Sequence, residues 1–178
     1  MTKTHPSNVF KYCPQCGSPE IHFNPENYFQ CENCSFHYHI NMAGAVAAII
    51  TDEKERILFT IRATEPAKGS LDLPGGFIDI GESAEKAVVR EIKEELNLNI
   101  TESQYLTSFP NHYLYKGISY YTIDMAFQCK VESLENIKAM DDITAVEFIS
   151  FDEIEFDAIG LQSIKEIIKY YGTRFNSK

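Results

Sequence analysis

The chain has 178 residues, 44% of them apolar, and a formal net charge of -10. That length suits one domain plus a small module, and the apolar share is enough for a packed core. The acidic balance argues against non-specific binding to duplex nucleic acid, which needs a basic surface, and the lack of an apolar run of about 18 residues argues against a membrane-spanning helix.

Residues 1–9 read as a loose arm. They hold no apolar signal segment, so a cytoplasmic location is expected rather than secretion. Residues 10–40 contain Cys13-Pro-Gln-Cys16 and Cys31-Glu-Asn-Cys34, two C-x-x-C pairs separated by 14 residues. This is the spacing of a four-thiolate zinc ribbon. So short a segment cannot bury a sufficient core alone, so Zn2+ is expected to hold it together. A rubredoxin-like iron site uses similar knuckles. Two disulfides are the other reading, and a reducing compartment disfavours them. His37 and His39 flank the second knuckle, but four thiolates already fill a tetrahedral site, so both read as strand or linker residues. Tyr28, Phe36 and Tyr38 read as packing residues of this module, with a base-stacking platform as the alternative.

Residues 41–178 read as the larger domain. Ala43 to Ile50 is a small and β-branched run, expected as a buried strand. Residues 52–55 make a charged turn, and Arg56 to Arg62 is expected as the return strand of a hairpin. The loop from Thr64 to Ser70 offers Lys68 as a candidate phosphate contact. Next comes Leu71-Asp72-Leu73-Pro74, and then a helix from about Ser83. Tyr105 to Phe109 and Tyr120 to Cys129 read as strands, with Asn111 and His112 in a loop between them and Cys129 as a buried thiol. Ala145 to Ile149 reads as another strand, preceded by Asp141-Asp142. Leu161 to Tyr171 places Leu161, Ile164, Ile167, Ile168 and Tyr171 on one helical face. Strands with two helices suit an α/β or α+β sandwich.

Gly76 to Leu98, GFIDIGESAEKAVVREIKEELNL, is the densest stretch of chemistry. Pro74-Gly75-Gly76 punctuates the chain. Ala84, Ala87, Val88, Ile92 and Leu96 then recur at helical spacing. Ser83 is the expected N-cap, Glu85 suits the positive end of the helix dipole, and Asn97 can take the left-handed turn that ends a helix. Glu91, Glu94 and Glu95 stand at i, i+3 and i+4, on one helical patch. Three carboxylates so close call for a cation, and hard divalent ions such as Mg2+ take oxygen ligands and bridge to phosphates.

Gly76, Glu82, Arg90-Glu91, Glu94-Glu95 and Leu98 stand at the fixed offsets of the Nudix box, with Asn97 where that signature usually has Gly. The chain therefore resembles the Nudix hydrolases, which cleave nucleoside diphosphates linked to another group. The resemblance implies an α/β/α sandwich around a mixed sheet. It implies Mg2+ or Mn2+ held by Glu91, Glu94 and Glu95 with a backbone carbonyl near Gly75, and Arg90 paired with Glu82 to brace loop against helix. It implies a general base from the box or a later loop, for which Glu94 and Asp142 are the candidates. A four-cysteine ribbon before such a domain resembles the NADH pyrophosphatase group. That group's Ser-Gln-Pro-Trp-Pro-Phe-Pro motif corresponds to Ser108-Phe109-Pro110-Asn111-His112-Tyr113. Here Ser108 and Pro110 match, while Phe109 and Asn111 depart, which implies an altered substrate pocket. Phe109, Asn111, His112 and Tyr113 are its candidate substrate contacts, with Tyr115, Tyr120 and Tyr121 as further stacking candidates. The expected partner is a small nucleotide-diphosphate substrate, with a homodimer possible by analogy. RNA-end processing and non-catalytic ligand sensing are the rival functions.

Overall fold

In the computed structural model, which describes residues 3–24 and 28–175, the cysteine-rich segment folds on a three-stranded sheet. Its strands are β1 (Ile21–Asn24), β2 (Tyr28–Cys31) and β3 (His37–His39), paired antiparallel in that order. Side chains alternate across a strand. One face therefore carries Phe29, fully buried, with Phe10, Phe36 and Tyr38 ringed around it. The other face carries Tyr28, His37 and His39, whose rings touch one another in the open. Residues expected as a loose arm are partly ordered. Pro6–Val9 forms a 3-10 turn whose N-cap is the His5 side chain.

The chain divides into two compact units. The first, here the ribbon unit, comprises Met1–Met42 and His112–Tyr121; the second, the sandwich unit, comprises Ala43–Asn111 and Thr122–Lys178. The segment His112–Tyr121 is the tip of a long hairpin between β7 (Ile100–Tyr115) and β8 (Ile118–Val131). Lys116 and Gly117 turn it, both at positive φ (49° and 81°), the conformation that suits two-residue hairpin loops.

In the sandwich unit, β4 (Ala43–Ile50) pairs in parallel with β8, and β8 lies between β4 and β7. A second sheet has β5 (Ile57–Arg62) between β6 (Leu71–Asp72) and β9 (Ile143–Ile149). The expected β4–β5 hairpin ladder is absent among the described residues. One bridge, Thr51 to Ile57, joins the two after the charged turn, and β5 then pairs along its length with β9.

Helices α1 (Ala84–Leu96) and α2 (Gln162–Phe175) pack on opposite sides. The alternation of β4 shows this directly. Val46, Ala48 and Ile50 join the cluster around Ala87, Val88, Ile92 and Leu96 of α1. Ala47 and Ile49 join the cluster around Ile164, Ile167 and Ile168 of α2. A strand buried on both faces needs no polar alternation, which is why AGAVAAII reads as one apolar run. Each fully buried Leu, Ile or Val contributes roughly 1.5–3 kcal/mol. This is the sandwich with a mixed sheet that the sequence implied.

Candidate active site and metal centres

Helix α1 begins and ends as its sequence dictates. The Ser83 hydroxyl accepts from the Lys86 N–H, and Asn97 closes the helix in the left-handed region (φ 56°), its N–H donating to the Ile92 and Lys93 carbonyls. The preceding loop is laced to β4: the Val46 N–H donates to Gly76 O, the Ala48 N–H to Pro74 O, and the Ile78 N–H to Gly44 O. Glycine is required at 75. With φ at 147°, a Cβ there would sit 2.1 Å from the Val46 carbonyl oxygen. At Gly76 a Cβ would sit 2.6 Å from the Glu91 carboxyl. The two glycines thus let the loop lie against β4 on one side and a box carboxylate on the other.

Arg90 is the hub. Its guanidinium donates to both carboxylate oxygens of Glu82 (3.1 and 2.9 Å), to the Phe77 carbonyl (2.9 Å), to Glu91 (2.8 Å) and to Glu94 (3.0 Å). The Glu82 pairing matches expectation; the bonds to Glu91 and Glu94 are additional. Hydrogen bonds from Arg90 hold the Glu82 carboxyl below its ordinary pKa. Glu95 accepts the Gly75 N–H at 2.9 Å. It is 7% exposed. Burial pushes its pKa up to about 8, the Gly75 N–H pulls the other way, and the charges of Glu91, Asp72 and Asp141 push it further up. Burial also raises Glu91, against the pull of Arg90.

Glu91, Glu94 and Glu95 offer carboxylate oxygens, the ligand type that suits Mg2+ and Mn2+; as placed, Glu91 and Glu94 accept from Arg90 and Glu95 accepts the Gly75 N–H. Of the acidic pair before β9, Asp141 has positive φ, and its charge pushes Glu91 and Glu95 up. Asp142 is exposed, and its carbonyl accepts from Ala63. Asp72 is a second acid that sequence reading passed over. It is buried beside Arg62 at 2.5 Å, and its position in LDLPGG, two residues before the loop, was the available signal.

The other candidate contacts are shared between the two units. Phe109 is partly buried, packed into the α2 cluster near Tyr170, so it is core rather than an open stacking face. Asn111 is in β7, not in a loop. It is buried, and its Nδ2 is the buried side-chain nitrogen without a partner among the described residues. His112 and Tyr113 are also strand residues. They belong to the ribbon unit, where they stack on Tyr121 and Tyr120. A 16-residue strand that changes surroundings along its length carries no single alternation, which explains why its end read as a loop. Lys68 is exposed on its loop.

In the ribbon unit the four sulfurs of Cys13, Cys16, Cys31 and Cys34 lie within 4.8 Å of one another. Sγ of Cys13 is 3.7 Å from that of Cys34, and Sγ of Cys16 is 3.7 Å from that of Cys31. Disulfides need about 2.05 Å. Four ligands about 2.3 Å from one metal stand about 3.8 Å apart at tetrahedral angles, so the geometry fits a single four-thiolate metal. His37 and His39 lie outside this cluster. Cys129 is buried in the α1 cluster, and burial pushes its thiol up to about 12. No helix among the described residues is long and apolar enough to cross a membrane.

Known proteins resemble this chain in sequence and in fold. The NUDIX domain family matches residues 42–171. An NAD-capped RNA hydrolase NudC of Pseudomonas aeruginosa (strain LESB58) is 24% identical over 148 residues, which cover 81% of this chain and 49% of that protein. An ADP-ribose pyrophosphatase of Methanocaldococcus jannaschii is 46% identical over 63 residues, covering 35% of this chain and 37% of that protein. The chain thus spans half or less of the length of these curated relatives. Among solved structures, a NUDIX hydrolase from Nitrosomonas europaea superposes with a TM-score of 0.70 at 24% identity, covering 95% of this chain and 94% of that one. The NUDIX domain of Shewanella oneidensis NrtR, solved with ADP ribose, gives 0.62 at 18% identity, covering 76% and 89%. With the box, the sandwich and the family match in agreement, the chain belongs to the NUDIX family.

Proposed function

We propose that the protein is a pyrophosphohydrolase that cleaves the diphosphate of a nucleoside diphosphate linked to another group, a dinucleotide such as NADH or an ADP-ribose-like compound. The observation that carries this reading is the arrangement around Arg90: one guanidinium binds Glu82, Glu91 and Glu94 while Glu95 grips the Gly75 N–H. That arrangement pins a glycine loop beside a patch of carboxylates. Glu91, Glu94 and Glu95, with the Gly75 carbonyl, would hold Mg2+ or Mn2+. When bound, such an ion polarises a phosphoryl oxygen and lowers the pKa of water.

The residues divide the remaining work. Arg90 and Glu82 set the angle between loop and helix. Glu94 is 51% exposed at its side chain, so it can accept a proton from attacking water, and it is the preferred general base over Asp142. Zn2+ in the four-thiolate site serves structure. The names of the Pseudomonas and Methanocaldococcus relatives support the substrate class. The NAD-capped RNA hydrolases among them favour one second reading, in which the dinucleotide sits at an RNA end.

The test is product analysis by mass spectrometry with Mg2+ or Mn2+, over NADH, NAD+, ADP-ribose, FAD, coenzyme A, nucleoside triphosphates and NAD-capped RNA. AMP plus a mononucleotide from NADH, or AMP plus ribose 5-phosphate from ADP-ribose, is expected. Turnover of the capped RNA alone would install the second reading. Intact substrates throughout would overturn both and leave ligand sensing.

A further inference from the structure

We infer that a cavity of about 310 Å3 in the ribbon unit, lined by His5, Ile40, Asn41, Met42 and Tyr121, binds the planar nitrogen heterocycle of a nucleotide. The inference rests on the nucleotide reading above and adds a second recognition site to it. The volume is at the lower end of ligand pockets, about 300 Å3 and upward.

The walls are built and held. Thr4 is tied to the hairpin tip, where Ser119 N–H donates to its carbonyl at 2.7 Å and the two hydroxyls meet at 2.8 Å. That places His5, which is fixed again by Ser7: its Nδ1 accepts the Ser7 N–H at 3.2 Å and lies 2.8 Å from the Ser7 hydroxyl. The His5 ring packs edge-on to Phe23 at 5.0 Å and lies 6.1 Å from Tyr121. Tyr121 in turn stacks on His112 at 4.9 Å. Rings locked in this way offer a base a stacking surface at small entropic cost.

The chemistry of the lining selects a ring rather than a phosphate. Among the described residues, no Lys, Arg, Asp or Glu borders the cavity. The carboxamide of Asn41, which is exposed, sets a donor beside an acceptor, the pattern that pairs with the N6/N7 edge of adenine. A nicotinamide carboxamide presents the same pair. Met42 supplies an adaptable apolar contact.

The test uses the full-length, zinc-loaded chain and calorimetric titration with AMP, nicotinamide mononucleotide and ribose 5-phosphate. One or both mononucleotides should bind, ribose 5-phosphate should bind about tenfold more weakly or worse, and Tyr121→Ala and Asn41→Ala should each weaken binding about tenfold. The His5 ring proton resonances should shift during the titration. The mononucleotide whose binding is weakened more by Tyr121→Ala and Asn41→Ala tells adenine from nicotinamide. Unchanged affinity in both variants, equal affinity for ribose 5-phosphate, or a silent His5 would overturn the inference. Hydrolysis is assayed separately. Turnover without cavity-dependent binding sinks this inference alone, and cavity-dependent binding without turnover sinks the hydrolase reading alone.

Discussion

The two units solve stability and electrostatics in opposite ways. Over the sequence, the ribbon unit balances Lys3, Lys11 and Lys116 against Glu20, Glu26 and Glu32, so the whole net charge of -10 belongs to the sandwich unit. All five histidines, at 5, 22, 37, 39 and 112, lie in the ribbon unit. The sandwich unit has two apolar clusters fed by alternating positions of one strand. Among its described residues the ribbon unit has one deeply buried ring, Phe29, and four clustered thiols. One unit has a core large enough to carry a patch of repelling carboxylates. The other has a small core, surfaces rich in rings, and four thiols placed to hold a metal. The acidity that argues against polyanion binding for the chain as a whole is therefore a property of one unit only.

The largest expected effect separates the units by metal. Stripping the thiolate metal, or Cys31→Ser, should cost the ribbon unit its fold, since structural zinc supplies on the order of 10 kcal/mol to such modules. Hydrogen exchange should show lost protection over β1 to β3 while α1 and α2 stay protected; retained protection over β1 to β3 would break the contrast. Alkylation should sharpen it. After stripping, the four knuckle cysteines should label at pH 8 and Cys129 should not, because its thiol, raised to about 12 by burial, is about a thousandfold less ionised than an ordinary one. A thiol raised on folding favours the native state only while protonated. Stability from this group is thus present below about pH 9 and declines as pH rises through 12.

Next in size is Gly75→Ala, which drives a Cβ into the Val46 carbonyl. A loss of about 3 kcal/mol is expected in urea unfolding of the sandwich unit. Gly76→Ala meets a movable carboxylate instead, so it should lose less stability. Arg90→Met should destabilise by about 1–3 kcal/mol, because it leaves the side chains of Glu82 and Glu91, at 15% and 13% exposure, without their cation. Thermal melts of the three variants would rank these effects; a wild-type melting point for Arg90→Met would remove the guanidinium from its bracing role. The smallest is Asn97→Gly. It relieves a left-handed residue at the helix stop and should stabilise by about 0.5 kcal/mol with turnover unchanged; a fall in turnover would give Asn97 a part in the chemistry.

What was legible in the sequence was local. Ser83, Asn97 and the apolar face of α1 are set within a few residues of one another, and the helix follows them closely. The cysteine spacing likewise placed four sulfurs together. Pairing between distant segments was not legible. Nothing near Ile57 says that it faces Ile149 rather than β4, since the charged turn alone suits a hairpin. Nor does the spacing of Arg90 tell that one guanidinium hydrogen-bonds three carboxylates, because that depends on where the loop carries Glu82. The tie between Thr4 and Ser119, 115 residues apart, has no sequence signal at all.

The most direct test of the account is steady-state turnover of NADH and ADP-ribose by the wild type and Glu94→Gln, with Mg2+ or Mn2+ added and the melting temperatures compared. The account predicts diphosphate cleavage by the wild type, a fall of about 10²–10⁴ in kcat for the variant, and melting points that agree, since the Glu94 side chain is 51% exposed. Equal turnover by both proteins, or no cleavage by the wild type, would contradict it.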